Sequence, residues 1–304
     1  MLLSPNILIK RSNLLSNHIQ MISSTSPSLL NGFVDWSILA DPSTIEKCRQ
    51  SLKDDGVMLI PNFVTPAGIT HLKEEILSCP HNESTQHYTP YQDQGDFEKY
   101  PASHPRNYKL HSSASFVGRK SLETTTKVQC ISMYNDERVI DFLSNILGHK
   151  LYRSKDENGS VYSYRITSNH NPPWHFDESH YTMILYLQSS ESGGEFEYVP
   201  WCRPTRSVDD EDGHDIINKI LIEKDNNDDL IQQVQPQDGM LLFFAGAHTF
   251  HRAAPIQGNT ARIGLVFTFS EDKTFRNSGK WLSVIFDRLF RVALLILGSC
   301  FLFL

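Results

Sequence analysis

"WHFDESHYTMILYLQ", residues 174–188, sets a histidine and an aspartate two positions apart at the head of an apolar run. His175-Phe176-Asp177 is open to two readings: the front half of a metal site, or one polar turn leading into a strand. The triplet alone does not choose, because a second His-x-acid sits at His81-Asn82-Glu83. The choice rests on what lies downstream.

After residue 150 the pattern is one of short strands. Runs at 150–154, 161–167, 181–188, 195–199, 240–245 and 262–269 are rich in branched and aromatic residues and separated by turn signals. Several such strands predict a mainly β sandwich or barrel with flanking helices. The helices come first. Ser43 or Thr44 can cap one over 44–54 that Gly56 ends. Thr65-Pro66 opens another, and "DERVIDFLSNILGHK" (136–150) repeats apolar residues at helical spacing up to Gly148. "VMLIPNF" reads as a short buried strand. Residues 80–126 are polar and aperiodic and are expected to form a long loop region. That expectation leaves His81-x-Glu83 with no strand behind it. Residues 207–230 carry nine acidic and two basic residues. They read as a solvated insertion with one short helix around "IINKILI".

The chain is long enough, at 304 residues, for one large domain or two small ones. Its net charge of -7 argues against a nucleic-acid partner. Cysteines 48, 79, 130, 202 and 300 show no C-x-x-C pairing. They read as reduced thiols of an intracellular protein, cytoplasmic or organellar. The expected organisation is a leader over 1–35, a catalytic domain over 36–276 and an apolar tail over 277–304. Residues 1–34 lack Asp and Glu and carry Lys10 and Arg11, which fits a transit peptide or a disordered leader. "VALLILGSCFLFL" (292–304) is shorter than the roughly 20 residues of a spanning helix. Extended back to Ile285, it gains the length and also Asp287, Arg288 and Arg291. A tail anchor making membrane contact and a membrane-surface helix are both open readings.

A non-haem Fe(II) site with two histidines and one carboxylate needs His-x-Asp/Glu and a distant histidine. Three protein ligands then leave positions open for co-substrate and oxygen. "QDGMLLFFAGAHTFHRAAPIQGNTARIGLVFTFS" supplies the distant histidine at His251, with His248 as its competitor. His251 lies 74 positions after Asp177, and Arg262 comes eleven after His251. In "RIGLVFTF", Ile263, Leu265, Phe267 and Phe269 alternate with Arg262, Gly264, Val266 and Thr268. Strand alternation therefore turns Arg262 away from the apolar set, beside a glycine. An arginine inside a narrow barrel needs an anion, and its fork fits a carboxylate. The distal carboxylate of 2-oxoglutarate meets that need, and Thr260 on the same face can add a hydroxyl.

With these residues in place, the chain resembles the Fe(II)/2-oxoglutarate-dependent oxygenases with a double-stranded β-helix, or jelly-roll, core. It is similar in particular to the branch of free-amino-acid (lysine-type) halogenases and hydroxylases. The matching stretches are "HPRN" (104–107), "SFVGRKSL" (115–122), "LYRSKDENG" (151–159), "WHFDESHYTMILYLQ", "GGEFEYVPWCR" (193–203) and "DGMLLFFAGAHTFHR". They cover about residues 40–275. Two features depart from the family: the loop "TSNHNPPWHFD" lacks a Gly-containing turn before the tryptophan, and nothing after Arg276 matches.

The resemblance implies His175, Asp177 and His251 as iron ligands, with 2-oxoglutarate and O2 as co-substrates and ascorbate as an optional reductant. Related halogenases lack the metal carboxylate, and halide takes its place. Asp177 is present here, so the implied outcome is hydroxylation of an unactivated C–H bond, with release of succinate and CO2. The implied substrate is a small molecule, an amino acid or derivative. Arg106 is then the candidate partner for its carboxylate, and Asp156 and Glu178 for its amine. Trp174 is expected to pack as a wall beside the site. The rival readings are an oxygenase of protein side chains and a catalytically inactive jelly-roll binding protein.

Overall fold

The computed structural model describes residues 30–91, 100–124, 129–203, 213–223 and 229–277. Most of the expected leader, the tail beyond Asn277 and much of the acidic insertion lie outside these residues.

The chain opens with two helices around one strand. Helix α1 (Pro42–Asp55) starts at Asp41, whose carboxylate accepts from the Thr44 backbone N–H at 2.9 Å. The cap is thus Asp41, one turn earlier than Ser43 or Thr44, because Pro42 fills the first helical position without needing its missing N–H. Gly56 ends the helix in a left-handed conformation (φ 67°) that a side chain would strain. Strand β1 (Val57–Ile60) follows, then α2 (Pro66–Leu77), capped by Thr65.

The largest departure from the sequence reading comes next. Residues 80–126 contain two paired strands, β2 (Asn82–Tyr88) and β3 (Leu110–Gly118), before the short helix α3 (Arg119–Glu123). These strands carry serines, histidines and threonines where an apolar alternation would have marked them. β2 is a sheet edge, and one face of β3 lines a cavity, so neither strand is held by apolar burial on both sides. His81-x-Glu83 therefore does lead into a strand. It is still no metal site: Glu83 pairs with His170, Oε2 to Nε2, at 3.0 Å.

Helices α4 (Gln129–Asn135) and α5 (Glu137–Leu147) come before the barrel strands β4 (Tyr152–Arg153), β5 (Val161–Ile166), β6 (Tyr181–Gln188), β7 (Ser192–Gly193) and β8 (Phe196–Val199). Helix α6 (His214–Asn218) runs into a π turn over 219–223. This is the expected insertion helix, but it is not fully solvated. Ile217 is buried against Trp174, Phe176 and Phe250. The chain closes with β9 (Gln232–Val234), β10 (Leu241–Phe244), β11 (Phe250–Ala253), β12 (Ile256–Gln257) and β13 (Arg262–Ser270).

The major sheet runs β1-β10-β6-β13-β5-β3-β2, with β4 on the end of β13, and a minor sheet runs β11-β8-β9. The pairings are antiparallel. The two sheets form the expected jelly-roll. Alternation along β13 divides the interior. Ile263, Leu265, Phe267 and Phe269 join the apolar layer beneath helices α1, α2, α4 and α5. Arg262 and Val266 turn to the opposite face, toward the minor sheet and the cavity. Among the described residues no helix is long and apolar enough to cross a membrane.

Candidate functional site

The segment carrying His175 reaches across to β11. His175 and His251 form an antiparallel bridge, each N–H donating to the other's carbonyl, at 2.9 and 3.0 Å. Two residues 76 positions apart in the chain are thereby made cross-strand neighbours, with ring centroids 4.3 Å apart. Asp177 follows one alternation later, and its N–H donates to the Gly246 carbonyl at 2.9 Å. Asp177 Oδ1 lies 3.4 Å from His175 Nε2 and 3.6 Å from His251 Nε2. The three ligand atoms lie within 4.8 Å of one another.

The hydrogen bonds around this cluster prepare it for a cation. His175 Nδ1 donates to the Pro173 carbonyl and His251 Nδ1 to the Thr249 carbonyl, both at 2.8 Å. A carbonyl can only accept, so each ring carries its proton on Nδ1 and turns the Nε2 lone pair inward. Thr182 Oγ1 donates to Asp177 Oδ2 at 2.6 Å, leaving Oδ1 to face the histidines. Burial pushes the Asp177 carboxyl up, but the neighbouring His251 and His175 and the bond from Thr182 outweigh it and bring it down to about 2. Burial, with His175 adding to it, lowers His251 to about 4. At pH 7 Asp177 is therefore ionised and His251 neutral, the states a metal ligand requires. The donor set fits a divalent transition metal with several coordination positions left open.

Gly246 leaves room for this arrangement. A Cβ at that position would lie 2.3 Å from Asp177 Oδ2 and 2.9 Å from Asp177 Cβ. Gly246→Ala is expected to push the carboxylate off Thr182 and weaken metal binding by about 10- to 100-fold, the range of an outer-shell change. Titration with Mn(II) or Fe(II) under nitrogen measures it, and an unchanged affinity would show that the strand shifts to make room.

Arg262 is buried (2% exposed) and lines the same cavity, of about 120 Å³. Its Nε donates to Tyr164 Oη at 3.1 Å, Nη1 to the Gly194 carbonyl at 2.8 Å and Nη2 to Tyr186 Oη at 3.3 Å. Among the described residues no carboxylate forms an ion pair with it. A guanidinium has five N–H groups. Three are engaged here, and one on each Nη remains for a ligand. Gly264 has a clear purpose at this point. It pairs with Tyr164 on β5 and Tyr186 on β6, and a Cβ would lie 2.4 Å from the Tyr164 hydroxyl. Burial raises both phenols, so they remain protonated at neutral pH.

The other expected site residues lie elsewhere. Thr260 precedes β13, and its hydroxyl donates to Glu191 at 2.5 Å, away from the cavity. The strand begins only at Arg262, so alternation does not extend back to Thr260. Arg106 is fully buried, with its guanidinium 4.2 Å from the Tyr91 ring, and is not part of the cavity lining. Asp156 caps its own turn, accepting from the Asn158 and Gly159 N–H groups. Glu178 is buried outside the lining, in the bend between Asp177 and β6. His248 donates from Nδ1 to the Arg203 carbonyl at 2.9 Å and takes no part in the cluster. Trp174 lies behind the site, stacked on Phe250. Pro172 and Pro173 of the unusual loop do line the cavity. Thr182, Tyr164, Tyr186 and Arg252 were not marked by the sequence. Thr182 reaches Asp177 through the turn that leads into β6, and Tyr164 and Tyr186 reach Arg262 from the neighbouring strands.

This barrel, with a His-Asp-His cluster facing a buried arginine, has the architecture of the 2-oxoglutarate- and iron-dependent oxygenases, a class of enzymes. The family described as Halogenase D matches residues 40–280, and the chain belongs to that family. Comparison with curated protein sequences finds no match. Solved structures share the fold. HygX from Streptomyces hygroscopicus, with nickel, 2-oxoglutarate and hygromycin B bound, is 12% identical with a TM-score of 0.51, covering 76% of this chain and 88% of that one. The carbocyclase SnoK from nogalamycin biosynthesis is 13% identical with a TM-score of 0.51, covering 78% and 89%. The epimerase SnoN from the same biosynthesis is 13% identical with a TM-score of 0.50, covering 76% and 84%.

Proposed function

We propose that the protein is an Fe(II)- and 2-oxoglutarate-dependent hydroxylase of a small molecule, an amino acid or derivative, with the activity housed in residues 36–276. The observation that carries this reading is Asp177. Its carboxylate stands in the cluster, fixed by Thr182, where the halogenases resembling this chain have none. In this reading His175, Asp177 and His251 hold the iron, and Arg262 binds the distal carboxylate of 2-oxoglutarate.

Bound iron with 2-oxoglutarate and O2 supplies the oxidising power, so that succinate and CO2 form as one oxygen atom enters a C–H bond. The chain's own residues set the geometry. Pro173 and Thr249 hold the imidazoles in one tautomer. Thr182 fixes which carboxylate oxygen is offered. The free N–H on each Nη of Arg262 can grip a carboxylate as a fork. Phe196, Phe244 and Ile184 line the cavity and exclude water from its interior. The nickel and 2-oxoglutarate bound to HygX support the cofactor assignment, as does the donor set here.

The test is a panel of amino acids and derivatives, scored by product mass. Gain of one oxygen together with succinate supports hydroxylation. Loss of two hydrogens would point to cyclisation or desaturation, and an unchanged mass with inverted stereochemistry to epimerisation. Turnover stimulated only by a protein would move the substrate to a side chain.

Asp177→Gly is expected to end hydroxylation and to open a coordination position. Azide or chloride should then alter the visible spectrum of the iron-loaded variant and leave the native spectrum alone. A variant spectrum indifferent to both anions would show that the position is closed. Halogenated product is not required, because outer-shell positioning also has to match.

A further inference from the structure

Strand β3 carries serines at 112, 113 and 115, and the fold uses two of them. Ser113 Oγ accepts from the Asn171 N–H at 3.0 Å, and Ser115 Oγ lies 3.5 Å from His81 Nδ1. Ser112 is different. It is 6% exposed and lines the cavity with Ala114 and Phe116, and its hydroxyl makes no hydrogen bond among the described residues. Alternation accounts for its direction. Ser112, Ala114 and Phe116 share one face of β3, while Val117 on the other face joins the apolar layer beneath the helices. A buried hydroxyl without a partner costs a fold stability, so one held toward a cavity points to a ligand.

Its neighbours fix where Ser112 stands. Ser113 and Asn171 form an antiparallel bridge, each N–H donating to the other's carbonyl, at 3.1 and 3.2 Å. Continuing that register sets Ser112 beside Pro172, which lines the cavity and lies on the segment leading to His175. Arg262 lies two strands away, in the order β13-β5-β3, or about 10 Å at the usual strand spacing. Its Nη groups bond on the other side, to the Gly194 carbonyl and to Tyr186 on β6. A 2-oxoglutarate held by Arg262 therefore leaves Ser112 to another molecule. Arg252, next to His251, sends its guanidinium to Glu197 and Trp174 on the opposite face of the minor sheet. Around Ser112 the cavity walls are Ala114, Phe116, Ile166 and Pro172, and Phe116 and Pro172 are half-buried at its open end.

Building on the hydroxylase reading, we propose that Ser112 is a specificity-determining contact for the substrate. Its hydroxyl pairs with an uncharged polar group, a hydroxyl or a carbonyl, while an apolar body rests on Ala114, Phe116, Ile166 and Pro172. One serine hydroxyl satisfies a neutral partner, whereas a buried ion needs an opposite charge or several hydrogen bonds. The substrate class is thus a small molecule with a neutral hydrogen-bonding group on an aliphatic or aromatic body. In an amino acid or derivative, that group belongs to the side chain or to an acyl or amide cap.

The experiment compares probes that differ in one polar group. The pairs are L-tyrosine with para-fluoro-L-phenylalanine, ε-hydroxy-L-norleucine with L-norleucine, and para-acetyl- with para-isopropyl-L-phenylalanine. Each is titrated anaerobically into protein loaded with Fe(II) and 2-oxoglutarate. The native protein is expected to prefer the polar member of at least one pair by about fivefold or more, the value of a neutral hydrogen bond. Ser112→Ala should bring that ratio to within about twofold and keep the affinity for the apolar member, the affinity for 2-oxoglutarate and Tm. Ser112→Cys, with a weak S–H donor, should fall between, and it still reads the ratio if Ser112→Ala does not fold. A hydroxyl that only supports the strand would lower Tm in Ser112→Ala and weaken both members alike, and that unchanged ratio overturns the proposal. So does a loss of 2-oxoglutarate affinity at unchanged ratio, which would give the hydroxyl to the co-substrate. A native protein with no preference in any pair overturns it as well. The hydroxylase reading fails separately, if the loaded protein forms no oxygenated product from any probe it binds.

Discussion

Alanine at His175, Asp177 or His251 is expected to abolish succinate formation. The three ligand atoms converge within 4.8 Å, and each is oriented by a dedicated neighbour. Removing one leaves a two-ligand site that binds iron weakly and fixes no coordination geometry. The loss should exceed the roughly 10- to 100-fold of an outer-shell change such as Gly246→Ala. Metal content after anaerobic reconstitution and succinate release are the two measurements. The histidine variants should stay folded, because the bridge between residues 175 and 251 is made by backbone groups that alanine retains. Full activity in His251→Ala would transfer the role to His248, against the bond His248 makes to the Arg203 carbonyl.

Arg262→Lys should raise the KM for 2-oxoglutarate about ten- to hundredfold, corresponding to a charge-assisted bond of roughly 1.5–3 kcal/mol. Lysine keeps the charge and loses the fork. Arg262→Ala should cost more, because it also leaves the Tyr164 and Tyr186 hydroxyls and the Gly194 carbonyl without their donor. Iron affinity should hardly change, since the metal cluster makes no contact with Arg262. Gly264→Ala should act in the same direction by displacing Tyr164. A shorter keto acid without the distal carboxylate should be a poor co-substrate for native protein and lose little more in either variant. Native 2-oxoglutarate affinity in both Arg262 variants would reduce Arg262 to a structural cation, even with the iron cluster intact.

Much of this arrangement is legible along the chain. Continuous apolar runs mark β6 and β10, which are buried on both faces, and alternation marks β13, which divides its residues between two faces. That same alternation turns Arg262 inward. His175-x-Asp177 can be read because it stands at the head of such a strand. Capping chemistry fixes α2 and α5 closely, and α1 to within one turn. The polar strands β2 and β3 escape this logic. Their partners are a sheet edge and a cavity wall, so hydrogen-bonded pairing defines them rather than apolar burial.

The sequence by itself determined the β architecture and pointed to the His-Asp-His cluster and the inward arginine, since each depends on local alternation and on spacing along one chain. Only the tertiary structure decided which other polar side chains reach the cavity. Thr182 holds Asp177 from five residues away along a turn into β6. Tyr164 and Tyr186 meet Arg262 across three strands, in the gap left by Gly264. Arg106, Asp156, Glu178 and Thr260 carry the right chemistry and are committed to neighbours or faces outside the cavity. The physical reason is that sequence gives the direction of a side chain relative to its own strand. Which strand lies opposite, in what register, is set by the packing of the whole barrel.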